Sequence, residues 1–199
     1  MASTDAARGK PRRDPRVWTF DALGRLPAAH YVASPNCDER PAGERVTLLV
    51  IHSISLPPGR FRGSAVADLF TNRLDVAADP YFAALAGLRV SAHFFVRRRG
   101  ELIQFVLASK RAWHAGVSAW KGRERCNDFS VGIELEGTDT VPFTAAQYRV
   151  LARLTRALQA FYPIDDIAGH ADVAPGRKTD PGSCFDWGRY RELLTRGGA

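Results

Sequence analysis

His170 and Asp180 stand ten residues apart in the stretch GHADVAPGRKTDPGSCFDW, joined by a loop rich in proline and glycine, with Lys178 two positions before the aspartate. Imidazole nitrogen and carboxylate oxygen suit zinc, and a catalytic zinc takes three protein ligands while keeping one position open. This stretch offers two of the three. His52, at the end of the apolar run VTLLVIHSI (46–54), offers a third. In open α/β sheets ligands bind just outside the carboxyl ends of strands, which favours a functional histidine there. A core histidine capping the strand fits the same position.

Glu134 lies in VGIELEG (131–137), where a period of two sends Val131, Ile133 and Leu135 to one face and Gly132, Glu134 and Glu136 to the other. A carboxylate inside a strand has poor β propensity and costs several kcal/mol if buried without a partner. An edge strand with a solvated glutamate face is the competing reading. Zinc held by His52, His170 and Asp180 would lower the pKa of a bound water to about 7. Glu134 could take that water's proton and pass it to a leaving amine. The Lys178 ammonium could face the oxyanion that forms as water adds to a carbonyl. Amide hydrolysis suits these parts, although HExxH is absent and the donors are far apart in the chain.

The rest of the sequence supplies the elements that must hold them. The run 46–54 reads as a strand buried on both faces, followed by the loop SLPPG. Residues 64–72 read as a helix, and Asp79-Pro80 opens a second short one that stops at Gly87. LRVSAHFFVRR and ELIQFV flank Arg99-Gly100 as a β-hairpin, with His93 a structural histidine inside the sheet. Trp113, His114 and Trp120 fall in an irregular segment, 112–130, that reads as a groove wall; His114 is a possible ligand with no second donor near it in sequence. Thr144 and Gln147 form a capping box for a long packing helix to about Phe161, and a final helix runs from about Trp187 to Thr195. Residues 17–45 read as an irregular lead-in and 1–16 as a disordered basic tail. The expected architecture is a single mixed α/β domain over 17–199, a central mixed β-sheet flanked by helices.

Composition narrows the class of partner. No apolar run approaches the ~18 residues of a membrane span, and no apolar h-region follows the basic N-terminus, so neither a membrane anchor nor a secretory signal is expected. Three cysteines, Cys37, Cys126 and Cys184, in no CxxC pair argue against a disulfide framework and point to a reducing, cytoplasmic setting. The net charge is +7, but five basic against two acidic residues within 1–16 supply +3 of it. No basic stripe or interleaved aromatics mark a nucleic-acid surface. A monomer acting on a small acidic ligand is expected.

The segments LLVIHSISLPPG, LRVSAHF, AWHAGVSAWKGRERCNDFSVGIELEGTDT and GHADVAPGRKTDPG, with CFDW after it, resemble the AmpD-type N-acetylmuramoyl-L-alanine amidases, in the wider group that includes phage amidases and peptidoglycan recognition proteins. The resemblance runs from about Thr47 to Trp187. It implies a cytoplasmic zinc enzyme that cuts 1,6-anhydro-muropeptides between the N-acetylmuramic lactyl group and L-alanine during cell-wall recycling. It places the zinc ligands on His52, His170 and Asp180, the catalytic glutamate on Glu134 and the lysine on Lys178. Asp180, where the wider group often has cysteine, points to the AmpD branch. Substrate contacts map onto Ser53, Arg89, Arg125 and Ala174, with Ser53 standing where the branch usually has asparagine. Two rivals remain: an amidase acting on polymeric wall outside the cytoplasm, and a non-catalytic muropeptide-binding protein.

Overall fold

The two apolar runs that carry His52 and Glu134 become neighbouring strands, and the sheet grows outward from them. The computed structural model describes residues 17–196, so the basic tail expected at 1–16 lies outside the described residues. In chain order the strands are β1 (His30–Tyr31), β2 (Cys37–Asp38), β3 (Leu48–Ile54), β4 (Phe94–Val96), β5 (Leu102–Gln104), β6 (Arg111–Ala112), β7 (Ala119–Trp120), β8 (Arg123–Glu124), β9 (Ser130–Glu136) and β10 (Asp166–Gly169). The helices are α1 (Ala65–Phe70), α2 (Ala145–Phe161), α3 (His170–Val173) and α4 (Trp187–Arg196). The main sheet has the order β1-β5-β4-β9-β3-β10. It is mixed: β3 runs parallel to both β9 and β10, while β4 and β5 form the expected antiparallel hairpin.

Period-two alternation decides what covers each face. Leu49, Ile51, Val131, Ile133 and Leu135 point to one side, where Tyr148, Leu151, Leu154 and Leu158 of α2 and Tyr190 of α4 pack on them. Each of these large side chains contributes roughly 1.5–3 kcal/mol by leaving water. The other face is covered in two pieces. Leu48, Val50 and Ala168 pack under Ala115, Cys126, Phe129 and Val173, and Phe95 packs with α1 residues Val66, Leu69 and Phe70. Between the two pieces the face is left open at the carboxyl ends of β3 and β9.

The capping box forms as expected: the Thr144 hydroxyl accepts the Gln147 N–H, and the Gln147 side-chain oxygen accepts the Thr144 N–H. The Gln147 amide then donates to the carbonyls of Val96 and Glu136, tying the start of α2 to the ends of β4 and β9.

Several elements differ from expectation. Asp79 does accept the Tyr81 N–H, but the helix it opens is a six-residue 3-10 helix, Pro80–Leu85. The lead-in contains β1, which pairs in parallel with β5, and β2, which pairs with β6. Two-residue strands show no periodicity to read. The segment after Pro163 holds an unexpected edge strand, β10, and His170 opens the short helix α3 rather than lying in a loop. Trp120 is not on a groove wall. The turn at Lys121-Gly122 swings it onto the cluster around Leu48 and Val50, and its indole N–H donates to Asp166. The edge-strand reading of Glu134 also falls, because β9 lies inside the sheet and is buried along its whole length.

Candidate active site

Register places the chemistry in one row. Glu134 on β9 is the direct partner of His52 on β3, and Gly169 on β10 is the partner of Ile51. His170, one residue past that last pair, is therefore level with His52. Adjacent strands are about 4.8 Å apart, so glutamate and two histidines stand side by side on the open face. The loop after α3 returns Asp180 to the same point.

The three donor atoms converge: His52 Nδ1 to His170 Nδ1 is 3.0 Å, His52 Nδ1 to Asp180 Oδ2 is 3.2 Å, and His170 Nδ1 to Asp180 Oδ2 is 3.1 Å. Bonds of about 2.0 Å in a tetrahedral zinc site separate ligand atoms by about 3.3 Å, so this triangle has the size of one tetrahedral face. The donor set also fits a cation: two imidazole nitrogens and a carboxylate oxygen. His170 Nε2–H donates to the Ala115 carbonyl, which can only accept, so Nδ1 is the ring nitrogen that faces the triangle. Burial pushes the Asp180 carboxyl up, but the adjacent His170 and His52 rings outweigh it and hold the group well below the usual carboxylate range.

His114 is not a donor to this triangle. Its Nδ1 lies 2.9 Å from His52 Nε2, and its Nε2 lies 3.2 Å from the Ser130 hydroxyl. It thus fixes the far side of the His52 ring, as partners behind metal-binding histidines do. Gly132 makes room for it: a Cβ there would come within 2.5 Å of His114 Cγ. Sequence gave no signal for this role, because the partners are 62 residues apart. His93 behaves as the structural histidine expected, accepting the Gly132 N–H on Nδ1 and donating from Nε2 to the Lys110 carbonyl. Burial holds His52 down to about 4 and His93 down to about 3, so both rings are neutral near pH 7.

Glu134 is buried, 4.0 Å from His52 Nδ1, and its Oε2 has no hydrogen-bond partner. Burial, then the Asp180 carboxylate, push its carboxyl well above the ordinary range, with the Lys178 ammonium pulling the other way. A raised carboxyl beside a candidate metal centre suits proton transfer near neutral pH.

Glu134, His170 and Asp180 lie on the floor of a cavity of about 800 Å³. Leu56, Pro58 and Gly59 make one wall, Tyr81, Leu85 and Leu88 another, and Thr138 to Val141 a third. Trp113, Ser53 and Lys178 also line it. The Lys178 N–H closes a turn onto the Ala174 carbonyl. Among the described residues the lining does not include Arg89, Arg125 or Ala174. Arg89 is exposed between the lining residues Leu88 and Val90. Arg125 is exposed in a left-handed conformation with Nε 3.2 Å from Asp128, and Ala174 is buried at the end of α3. The walls 81–88 and 138–141 carried no histidine, cysteine or motif to flag them.

A single-domain α/β protein with a candidate one-metal centre and a buried acid at its strand ends is the class that fold and site define. Comparison narrows it. The family model for N-acetylmuramoyl-L-alanine amidase matches residues 42–183, and the chain belongs to that family. It is 57% identical over 175 residues to the 1,6-anhydro-N-acetylmuramyl-L-alanine amidase AmpD of Escherichia coli K12, covering 87% of this chain and 96% of that one. A crystal structure of a selenomethionine AmpD derivative superposes with a TM-score of 0.86 at 56% identity, over 88% of this chain and 98% of that one. The E. coli amidase AmiD, in complex with anhydro-N-acetylmuramic acid-L-Ala-D-γ-Glu-L-Lys, superposes with a TM-score of 0.55 at 33% identity, over 78% of this chain and 59% of that one.

Proposed function

We propose that this protein hydrolyses the amide between the lactyl carbonyl of 1,6-anhydro-N-acetylmuramic acid and the L-alanine of a muropeptide, as a zinc enzyme of cytoplasmic wall recycling. The observation that carries the reading is the triangle of ligand atoms from His52, His170 and Asp180 beside the buried Glu134, whose Oε2 has no hydrogen-bond partner. High identity to AmpD along nearly its whole length supports the substrate, as does the anhydromuramyl peptide held by AmiD. Three free cysteines suit a reducing compartment. No helix of the described residues is long and apolar enough to cross a membrane.

His52, His170 and Asp180 hold the zinc, which when bound supplies Lewis acidity and an acidified water. Glu134 takes the proton of the attacking water as oxygen adds to the lactyl carbonyl. It then delivers that proton to the alanine nitrogen as the C–N bond breaks. Lys178 faces the oxygen on which negative charge develops. Ser53 contacts the muropeptide from the cavity lining, and the exposed Arg89 and Arg125 pair with stem-peptide carboxylates that extend beyond it. The protein works as a monomer.

Metal analysis paired with product identification tests this. One zinc per chain, and anhydro-N-acetylmuramic acid plus free stem peptide by mass spectrometry, are expected. Asp180→Ala should lose zinc and turnover while its circular dichroism is unchanged; retained turnover would refute the ligand set. Equal rates on intact sacculi and on anhydro-muropeptide would refute the recycling role.

A further inference from the structure

A second cavity, of about 460 Å³, lies beyond the loop that walls the first. Leu56, Pro58 and Gly59 face the main cavity, and Phe61 and Arg62 of the same loop face the second. Its other side is the tip of the β4–β5 hairpin, with Arg97, Arg98, Arg99 and Glu101, and Glu136 at the end of β9 completes the lining. Four guanidiniums against two carboxylates leave a charge of +2.

The internal pairing of these groups is incomplete. Arg97 Nη2 donates to Glu136 Oε1 at 3.1 Å, and its buried Nε lies 3.8 Å from Glu101 Oε2, an ion pair too long to be a hydrogen bond. Arg98 lies over the Phe61 ring, 4.5 Å from its centroid, and donates from Nη2 to the Pro142 carbonyl, while its Nη1 is buried without a partner. Arg62 and Arg99 are exposed, with no hydrogen-bond or ion-pair partner among the described residues. Leaving charged N–H groups out of water without an acceptor is costly, and four like charges around one space repel.

We infer that this arginine-lined cavity is a binding site for a phosphate-type dianion, separate from the candidate active site. A dianion balances the +2 where one carboxylate would not. Its oxygens also match the forked, paired N–H geometry of guanidinium. Arg98 is fixed for the task by Phe61, and Arg97 by Glu136. Arg62 and Arg99 reach in from opposite sides.

Titration calorimetry of the zinc-loaded enzyme with inorganic phosphate at low ionic strength tests the site. Saturable binding is expected, weakened about tenfold or more in the Arg62→Ala/Arg99→Ala double variant, which is 1.4 kcal/mol or more. Zinc content and turnover in phosphate-free buffer should not change in that variant. Acetate should bind at least about tenfold more weakly than phosphate. The proposal is overturned if phosphate does not saturate in the millimolar range. It is equally overturned if the double variant binds phosphate as tightly as the parent, which assigns the ion to the zinc, or if acetate binds as well.

Discussion

Glu134 and Glu136 are the same residue type on the same strand and the same face, two positions apart, and both are buried. Around Glu136 both oxygens have a partner from within the chain: Arg97 donates to Oε1 and the Arg98 backbone N–H to Oε2. Around Glu134 the neighbours are the neutral His52, another carboxylate and a lysine, and Oε2 has no hydrogen bond. One carboxylate closes a structural joint between β9 and the hairpin. The other is held with its valence open toward a cavity. Burial alone does not separate the two roles; the completeness of partnering does.

Exchanging the acids tests that contrast most strongly. Glu134→Gln should keep its zinc and fold and lose about 100-fold or more in kcat, the scale of lost acid–base catalysis. Metal analysis with steady-state kinetics on anhydro-muropeptide would show it, and near-parental turnover would put Glu134 in the same structural class as Glu136. Glu136→Ala should do the opposite. It leaves the Arg97 and Arg98 N–H groups without their acceptor and should cost on the order of 2–3 kcal/mol in urea unfolding, with kcat within about tenfold of the parent. His114→Ala falls between the two. It should weaken zinc about 10–100-fold by freeing the His52 ring, read by competition with a chelator. The smallest effect concerns a pair closed within the chain. A hydrogen bond from Arg111 holds the Asp38 carboxyl below its ordinary range, with burial opposing. Because the folded value is depressed, its stabilisation is present above the unfolded pKa of about 3.9 and is lost as pH falls through the folded value. With the Asp38 side chain 40% exposed, Asp38→Asn should cost less than about 1 kcal/mol at pH 7 and nothing at low pH.

The contrast also explains what could be read from the chain beforehand. Strands β3 and β9, the capping box at Thr144 and Gln147, and the α2 stripe are local patterns, and they were legible. So were the donor types His52, His170 and Asp180, because two of them share a short loop and the third ends an apolar run. Partnering was not legible. Glu134 and Glu136 differ through Arg97 and Arg98, which the β4–β5 hairpin brings alongside β9. His114 meets His52 only because Gly132 lacks a side chain. The strand β10 escaped notice because it is four residues long and opens on an aspartate. Trp120 was misplaced because a left-handed turn at Lys121-Gly122 set its direction.

Strand β10 has a single neighbour in the sheet, β3, and its last paired residue, Gly169, immediately precedes His170. An ion held by His52, His170 and Asp180 would therefore act as a rivet through the sheet margin, joining β3, β10 and the returning loop at one point. Slippage of β10 by one residue would turn His170 to the opposite face, so ion affinity and strand register become one quantity. Zinc loading should then slow amide hydrogen exchange along Asp166–Gly169 more than along the interior strand β9.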